Sequence, residues 1–280
     1  MSVDNVQIDP IVHELFNQFR QGRIGKRHIA ILLDKPDAVL ALEEVQDQLS
    51  ETRQQSFAVE SAQPFWQSVW DELLGSGKVT VPPVPKLTAK QVKSMERFGF
   101  LLMYLPGITE DEYPAGFVKP NWSACLDVSQ IERKPLTGQW IAMETIKKPD
   151  LVDPIGYPDD RLMATLKRTT RFNTSYYDLI GGLIQKIAKV TGFPKKGTRL
   201  PSAEEWNLVG NLFNWLYEHR SMPHLPDLGS TCSVERCGNA YCSVSQLIVG
   251  NVESGRLACV GYDWHDGRYS GIAFRVLAVL

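Results

Sequence analysis

The cysteines are the residues of this sequence whose type and spacing could most directly do chemistry. Four of the five, Cys232, Cys237, Cys242 and Cys259, lie within 28 residues of one another. A pair of thiolates can hold a soft metal such as Cu(I), which makes Cys237 and Cys242 a candidate metal pair. No histidine stands at zinc-finger spacing to them. An odd number of cysteines without a signal peptide favours reduced, structural thiols instead, and both interpretations remain open.

A histidine beside an aspartate, His265-Asp266, is the second group that could do chemistry. Such a pair can act in catalysis, but no nucleophile is identifiable for it. Neighbouring residues on a strand also point to opposite faces. The sequence therefore favours an exposed turn or a binding loop over a catalytic centre, and we expect no enzyme activity and no cofactor.

The stretch from Gly238 to Tyr269 has the composition of a binding surface. Tyrosine and tryptophan offer a large contact area at low entropic cost, and serine, asparagine and aspartate offer adaptable hydrogen bonds. Apolar residues alternate with them and form a predicted framework: Leu247, Ile248, Val249, Leu257, Val260, Ile272, Phe274 and Val276. The predicted ligand-binding residues are Asn239, Tyr241, Ser243, Ser245, Asn251, Ser254, Arg256, Tyr262, Asp263, Trp264, His265, Asp266, Arg268 and Tyr269.

The elements that must position this stretch are predicted from helix caps and periodicity. Ser202 and Glu205 form a capping box at the start of a helix, and Trp206, Val209, Phe213 and Leu216 lie on its apolar face. Further predicted elements are helices over 64–74, 88–98 and 157–170, a helix from Ser175 or Asp178 to Val190, strands over 100–105 and 139–145, and a terminal strand over 271–276. Helices followed by strands favour an α+β fold over a doubly wound parallel sheet.

The N-terminal part differs in character from the rest. Residues 1–85 contain 7 basic and 12 acidic residues, whereas residues 86–280 contain 23 and 20. Helices are predicted within 8–33 and 36–55, and the run Pro82-Pro83-Val84-Pro85 forces an extended backbone. We therefore predict a helical module over 1–85, with oligomerisation through its helices as one role, and a ligand-binding domain over 86–280.

Composition limits the class of protein. The formal charge of −2 gives no global reason to expect nucleic acid as a partner. No apolar run reaches the roughly 18 residues of a membrane-spanning helix, and Met1-Ser2-Val3-Asp4 does not begin a signal peptide. The predicted location is cytoplasmic or virion-associated.

Two motifs carry a resemblance to a known family. The segment Arg199-Leu200-Pro201-Ser202-Ala203-Glu204-Glu205-Trp206 resembles the R-L-P-[ST]-x-x-E-W segment of the sulfatase-modifying-factor superfamily. The closing Gly271-Ile272-Ala273-Phe274-Arg275-Val276 is similar to its terminal G-F-R-V strand, with two residues inserted. The resemblance covers roughly residues 95–280 and implies a variant of the C-type lectin fold, of the type found in formylglycine-generating enzymes.

The resemblance implies alternative functions. Ligand-displaying members of the superfamily include phage tropism determinants and variable proteins diversified by retroelements, whose C-terminal residues form the binding surface. The enzymatic members use a C-terminal cysteine pair to bind copper and oxidise a substrate cysteine, which here would be Cys237 and Cys242. The strand that precedes this pair in the enzymes and their acidic calcium-binding loops are not recognisable in this sequence. We therefore expect a display protein for a protein or glycan ligand, with a structural or assembly component as a third alternative.

Overall fold

A computed structural model describes residues 59–124, 127–147, 160–222 and 224–280 of the protein. Contacts divide the chain into two units, Met1–Gln55 and Ser56–Leu280. This division falls before residue 56, whereas the sequence predicts a boundary after residue 85. The helices predicted within 8–33 and 36–55 lie outside the described residues.

The second unit has an α+β fold. Its described helices are α1 (Val59–Leu74), α2 (Ala89–Phe98), α3 (Arg161–Thr165), α4 (Tyr176–Asp178), α5 (Ile184–Thr191) and α6 (Ala203–His219). Its described strands are β1 (Phe100–Leu105), β2 (Gln139–Glu144), β3 (Thr198–Arg199), β4 (Val234–Cys242), β5 (Ser245–Asn251), β6 (Arg256–Trp264), β7 (Ile272–Phe274) and β8 (Leu277–Val279). Short 3₁₀ turns occur at Glu110–Glu112, Trp122–Ala124 and Val128–Gln130.

The strands form two four-stranded sheets. The first sheet has the order β1-β2-β8-β3 and is antiparallel throughout. The second has the order β6-β5-β4-β7, in which only the β4–β7 pair is parallel. The strands predicted over 100–105 and 139–145 are confirmed as β1 and β2. The terminal strand predicted over 271–276 is confirmed only in part, as β7 in the second sheet, and the chain after it forms the separate strand β8 in the first sheet.

Helix prediction succeeds where a cap marks the start. In α6 the Ser202 Oγ accepts from the Glu205 N–H at 3.1 Å, and the Glu205 Oε2 accepts from the Ser202 N–H at 2.7 Å, which confirms the capping box. The helix predicted over 157–170 is shorter in the described part, as α3. The helix predicted to end at Val190 is interrupted by a π-helical turn, Leu179–Leu183, where Gly182 has a φ of 154°.

Helix α1 closes the outer edge of the first sheet. Trp66 and Trp70 are four residues apart and so lie on one face of the helix. Their indole N–H groups donate to the carbonyls of Leu102 and Tyr104, on the edge strand β1, at 2.9 and 3.0 Å. Both tryptophans are fully buried. These bonds explain why α1 belongs to the same unit as the sheet.

A buried ion pair joins the two sequence motifs. The Glu235 carboxylate on β4 accepts from the Trp206 indole at 2.6 Å and from the Arg275 guanidinium at 2.9 and 3.2 Å. Arg275 also donates to the carbonyl of Glu144, at the end of β2. Glu235 and Arg275 are each 1% exposed. Since Arg275 follows β7 directly, this pair holds the chain where it leaves the second sheet for the first.

Helix α6 packs on the second sheet at very short distance. Gly250, on β5, has a φ of +77°, and a Cβ placed there would lie 2.5 Å from the ring of Trp206. Only glycine permits this backbone conformation and this approach of helix and strand. Helix α6 therefore packs closely against the Gly250 end of β5. The exposed Trp264 lies at the other end of this strand, opposite Ser245.

Candidate ligand-binding surface

Large apolar side chains are exposed in one region of the second sheet. Trp264 ends β6 and is 55% exposed, Tyr269 follows in the β6–β7 loop at 46%, and Val244 occupies the β4–β5 turn. Tyr177 and Ile180, three residues apart at the start of the helical segment, are also exposed. We call the following residues the aromatic surface: Tyr177, Ile180, Val244, Trp264, Arg268 and Tyr269.

Backbone hydrogen bonds bring the segments of the aromatic surface together. The His265 N–H donates to the carbonyl of Val244 at 2.9 Å, and the His265 carbonyl accepts from the Tyr177 N–H at 3.4 Å. The Asn173 N–H donates to the carbonyl of Tyr269 at 3.1 Å. The turn between β4 and β5, the loop after β6 and the start of α4 therefore meet at one place.

The buried Arg236 guanidinium is hydrogen-bonded to two of these segments. It donates to the Asp263 carboxylate at 2.7 Å and to the carbonyls of Gly267 and Thr174 at 2.7 and 3.2 Å. Arg236 is fully buried, so its donors are satisfied by the loop and by the chain before α4. A single cation thus fixes both segments, which is the kind of preorganisation that lowers the entropic cost of binding.

An ion pair and a ring contact complete the junction. Arg268, at the surface, donates to the Asp178 carboxylate at 2.9 Å. The Ser175 hydroxyl caps α4 by accepting from the Asp178 N–H at 3.1 Å. Beneath them the His265 ring lies between those of Tyr176 and Tyr177, with centroid distances of 4.8 and 5.4 Å. The His265 side chain therefore packs the loop after β6 against the start of α4.

Four of the predicted ligand-binding residues lie inside the domain: Asn239, Tyr241, Ser245 and His265. The Asn239 side chain is fully buried, where it accepts from the Ala203 N–H and donates to the Glu132 carbonyl and the Glu204 carboxylate. The Tyr241 hydroxyl accepts from the Asp127 N–H, and its ring stacks on Tyr262 at 4.2 Å. The Asn239 and Tyr241 side chains therefore serve the fold, since each satisfies buried backbone groups of distant segments.

Three other predicted residues lie at the opposite end of the sheet. Strand β5 pairs with β6 so that Ser245 is opposite Trp264 at one end and Asn251 is opposite Arg256 at the other. Six residues of extended strand separate the two ends by roughly 20 Å. Asn251, Ser254 and Arg256 therefore cannot contact the same small patch as Trp264. The Asn251 side chain is instead engaged in its own turn, where it accepts from the N–H groups of Glu253 and Ser254.

The remaining predicted residues are at or beside the aromatic surface. Ser243 and Asp266 are exposed in the β4–β5 turn and the β6–β7 loop. Tyr262 and Asp263 are half-buried, the first stacked on Tyr241 and the second bound by Arg236. Together with Trp264, Arg268 and Tyr269, seven of the fourteen predicted residues thus lie in this region.

The structure separates the two cysteines of the candidate metal pair. Cys237 and Cys242 lie five residues apart on β4, a distance of roughly 16 Å along an extended strand. Two thiolates on one metal lie within about 5 Å of each other, because each metal–sulfur bond is about 2.3 Å for zinc. Burial raises the pKa of the Cys237 thiol, while the Val244 N–H lowers the pKa of the Cys242 thiol. Cys125 lies outside the described residues.

A shallow depression of about 280 Å³ lies between β5, β6 and the chain near Asn121. Its lining is mostly apolar and includes Ile248, Val260 and Cys259. None of its lining residues in the described part of the chain is charged. Among the described residues no group of three or more His, Cys, Asp or Glu side chains could hold a metal ion.

Sequence reasoning missed three features of this surface. Tyr177 and Ile180 belong to a helical segment some 85 residues before Trp264, and no local pattern marks them as exposed. Arg236 looks like an ordinary strand residue in the sequence, because its acceptors, the Asp263 carboxylate and several backbone carbonyls, are brought near only by the fold. The Ser175–Asp178 cap was the one local signal available.

Comparison of the chain with protein-family models, with curated proteins and with solved structures finds no match. Among the described residues, no helix combines the length and the apolar character needed to cross a membrane.

Proposed function

We propose that this protein is a ligand-displaying scaffold with a C-type-lectin-like domain, and that it binds a partner protein through the aromatic surface. One observation carries the proposal. Of the seven large apolar side chains exposed in the described part, five belong to this surface: Tyr177, Ile180, Val244, Trp264 and Tyr269. Exposed apolar groups that cluster in this way are characteristic of interaction sites.

The chemistry of the aromatic surface suits a protein partner. Tyrosine, tryptophan and arginine are the residues that most often dominate the energy of protein interfaces. Ile180 and Val244 are exposed aliphatic residues, and Arg268 supplies a charge at the surface. The buried Arg236 preorganises the loop, so binding would lose little entropy.

The resemblance to the sulfatase-modifying-factor superfamily supports the proposed fold. Its two motifs, which are far apart in sequence, meet at the Glu235 carboxylate through Trp206 and Arg275. The superfamily also leads us to propose that a retroelement diversifies this surface, which the coding DNA would test. We do not propose the copper oxidase, because Cys237 and Cys242 are too far apart along β4.

The test replaces the centre of the aromatic surface. A triple variant, Tyr177→Ala, Trp264→Ala and Tyr269→Ala, is expected to change the free energy of unfolding by no more than about 0.5 kcal/mol per site, since exposed substitutions have small effects. The same variant should lose binding, since truncating a hot-spot residue costs about 2 kcal/mol or more. Unfolding is followed in urea. Candidate partners are captured from cells of the source organism with the wild-type chain, purified and titrated by calorimetry.

A matched control carries Val118→Ala and Val128→Ala, the exposed apolar residues outside the surface. A partner that binds the wild type and this control, but binds the triple variant at least 100-fold more weakly, supports the proposal. Retention of the partner by the triple variant contradicts it. A loss of several kcal/mol of stability in the triple variant would also contradict it, because these side chains would then be core.

A further inference from the structure

Positive charge is concentrated in three described segments of the chain. Residues 86–99, 161–171 and 184–199 together contain 13 of the 30 basic residues and only 1 of the 32 acidic ones. The rest of the chain is correspondingly acidic. The formal charge of −2 is therefore the sum of a strongly basic part and a strongly acidic part.

The fold brings these segments together. They contain α2, α3 and α5, and α2 contacts both of the other helices. The Lys90 ammonium, on α2, donates to the carbonyl of Lys189, on α5, at 2.7 Å. The Lys90 side chain also lies against Gly192, just after α5. Lys90 and Lys189, which are 99 residues apart in sequence, are thus neighbours, and the three basic segments lie side by side around α2.

We call the ten solvent-exposed cations of these segments the basic face: Lys86, Lys90, Lys93, Arg97, Arg161, Lys167, Lys186, Lys189, Lys195 and Lys196. On α2, Lys90, Lys93 and Arg97 follow at spacings of three and four, which place them on one side of the helix. On α5, Lys186 and Lys189 are three apart. Glu96 is the one acidic residue of the three described segments.

Ordinary structural roles account for few of these cations. Arg97 and Lys189 stand in the last turns of α2 and α5, where a cation complements the helix dipole. None of the ten takes part in an ion pair within the described part of the chain. Like charges three or four residues apart on a helix are destabilising. A polyanionic partner would compensate this positive charge.

We propose that the basic face binds the phosphate backbone of double-stranded nucleic acid. Lysine is a compact point charge that suits sequence-independent contact with phosphates. A single strand is disfavoured, because its binding requires aromatic side chains for base stacking. A membrane surface is disfavoured as well, because interfacial helices insert apolar side chains. None of the large apolar residues exposed in the described part, aromatic or aliphatic, belongs to the three segments.

This inference is independent of the proposed function. The two surfaces share no residue, and either could fail without the other. The duplex would bind by charge and without sequence preference, whereas the aromatic surface would bind its protein partner by shape and apolar contact.

The test uses the full chain and a fluorescently labelled 30-base-pair DNA duplex of arbitrary sequence, with anisotropy measured between 50 and 300 mM NaCl. We expect the logarithm of the association constant to fall linearly with the logarithm of salt concentration, with a slope of about −0.9 for each phosphate contacted. The variant Lys93→Glu, Lys186→Glu, Lys196→Glu should bind about 100-fold or more weakly at 100 mM salt, and its slope should be smaller in magnitude by about 2.7.

The control variant, Lys78→Glu, Lys119→Glu, Arg256→Glu, makes the same change in net charge at exposed positions outside the basic face. Its affinity for the duplex should fall far less. An equal loss in both variants overturns the proposal, as does the absence of duplex binding by the wild type at 50 mM salt. Vesicles of phosphatidylcholine with 30% phosphatidylserine form a third arm, and tighter binding to them than to the duplex would assign the face to a membrane and also overturn the proposal.

Discussion

The two sheets of this domain differ in solvent exposure: a helix covers the edge of the first sheet, whereas one end of the second sheet is exposed. In the first sheet every residue of the edge strand β1 is buried, and α1 covers that edge with Trp66 and Trp70. In the second sheet one end remains open and carries Trp264 and Tyr269 in contact with solvent. A covered edge prevents unwanted pairing with other chains, whereas an open end with fixed side chains is suited to a chosen partner.

The two sheets also differ in the acceptors to which their buried side-chain donors are hydrogen-bonded. In the first sheet the indole N–H groups satisfy backbone carbonyls of β1, which serves stability. In the second sheet Arg236 donates to the Gly267 carbonyl, in the loop that carries exposed aromatic residues, and to the Thr174 carbonyl before α4. The same physical requirement, that buried donors and acceptors be paired, thus produces a closed edge in one sheet and an ordered surface in the other.

The largest effect is expected where the two sheets are joined. Arg275→Met leaves the buried Glu235 carboxylate without its cation, and breaking a buried pair in this way costs about 3–5 kcal/mol. The control is Arg199→Met, which removes the cation of the more exposed Arg199–Glu205 pair and should cost less. Urea unfolding measures both. Equal losses would mean that the junction is no more important than a peripheral ion pair.

A smaller loss is expected at the closed edge of the first sheet. Trp66→Phe keeps most of the ring but leaves the Leu102 carbonyl without its donor, and an unsatisfied buried group costs about 1–3 kcal/mol. Trp215→Phe, at a half-buried position on α6, is the matched substitution and should change the free energy of unfolding by about 0.5 kcal/mol at most. If both variants are equally stable, the indole bond does not close the edge.

The most localised effect is expected for Arg236→Lys. Lysine keeps the charge but lacks the planar set of donors that reaches several acceptors at once. Amide hydrogen exchange should therefore accelerate in residues 264–270 and 173–177, while the amides of the first sheet remain protected. Arg268→Lys, in an exposed ion pair, is the control. Unchanged exchange in the loop of the Arg236 variant would show that the surface is ordered by other contacts.

Local signals in the sequence predicted much of the framework. The capping box at Ser202 placed the start of α6, and continuous apolar runs placed β1 and β2. These features depend on near neighbours, so the chain alone reveals them. The prediction was weaker where distant contacts decide, as at Gly182, which interrupts the helical segment before α5, and at Arg275, which divides the expected terminal strand.

The binding surface could be predicted only in part, for the same reason. Composition identified the stretch that contains Trp264, Arg268 and Tyr269, but strand alternation and the β5–β6 register buried Asn239 and Ser245 and moved Arg256 to the far end of the sheet. Tyr177 is joined to a loop that follows much later in the chain by a backbone hydrogen bond to His265. Burial and register are properties of the paired strands, and a single strand does not contain them.

The sequence by itself determined the residue types, the helix starts, the apolar runs and a net charge near zero. The tertiary structure decided which of those residues are neighbours. It placed Trp206 and Arg275 on one carboxylate, joined the turn before β5, the loop after β6 and the start of α4 by backbone hydrogen bonds, and brought α2 into contact with both α3 and α5. The physical reason is that hydrogen bonding, burial and electrostatic interaction act over distances of a few ångströms in space, while these groups are separated by tens of residues along the chain.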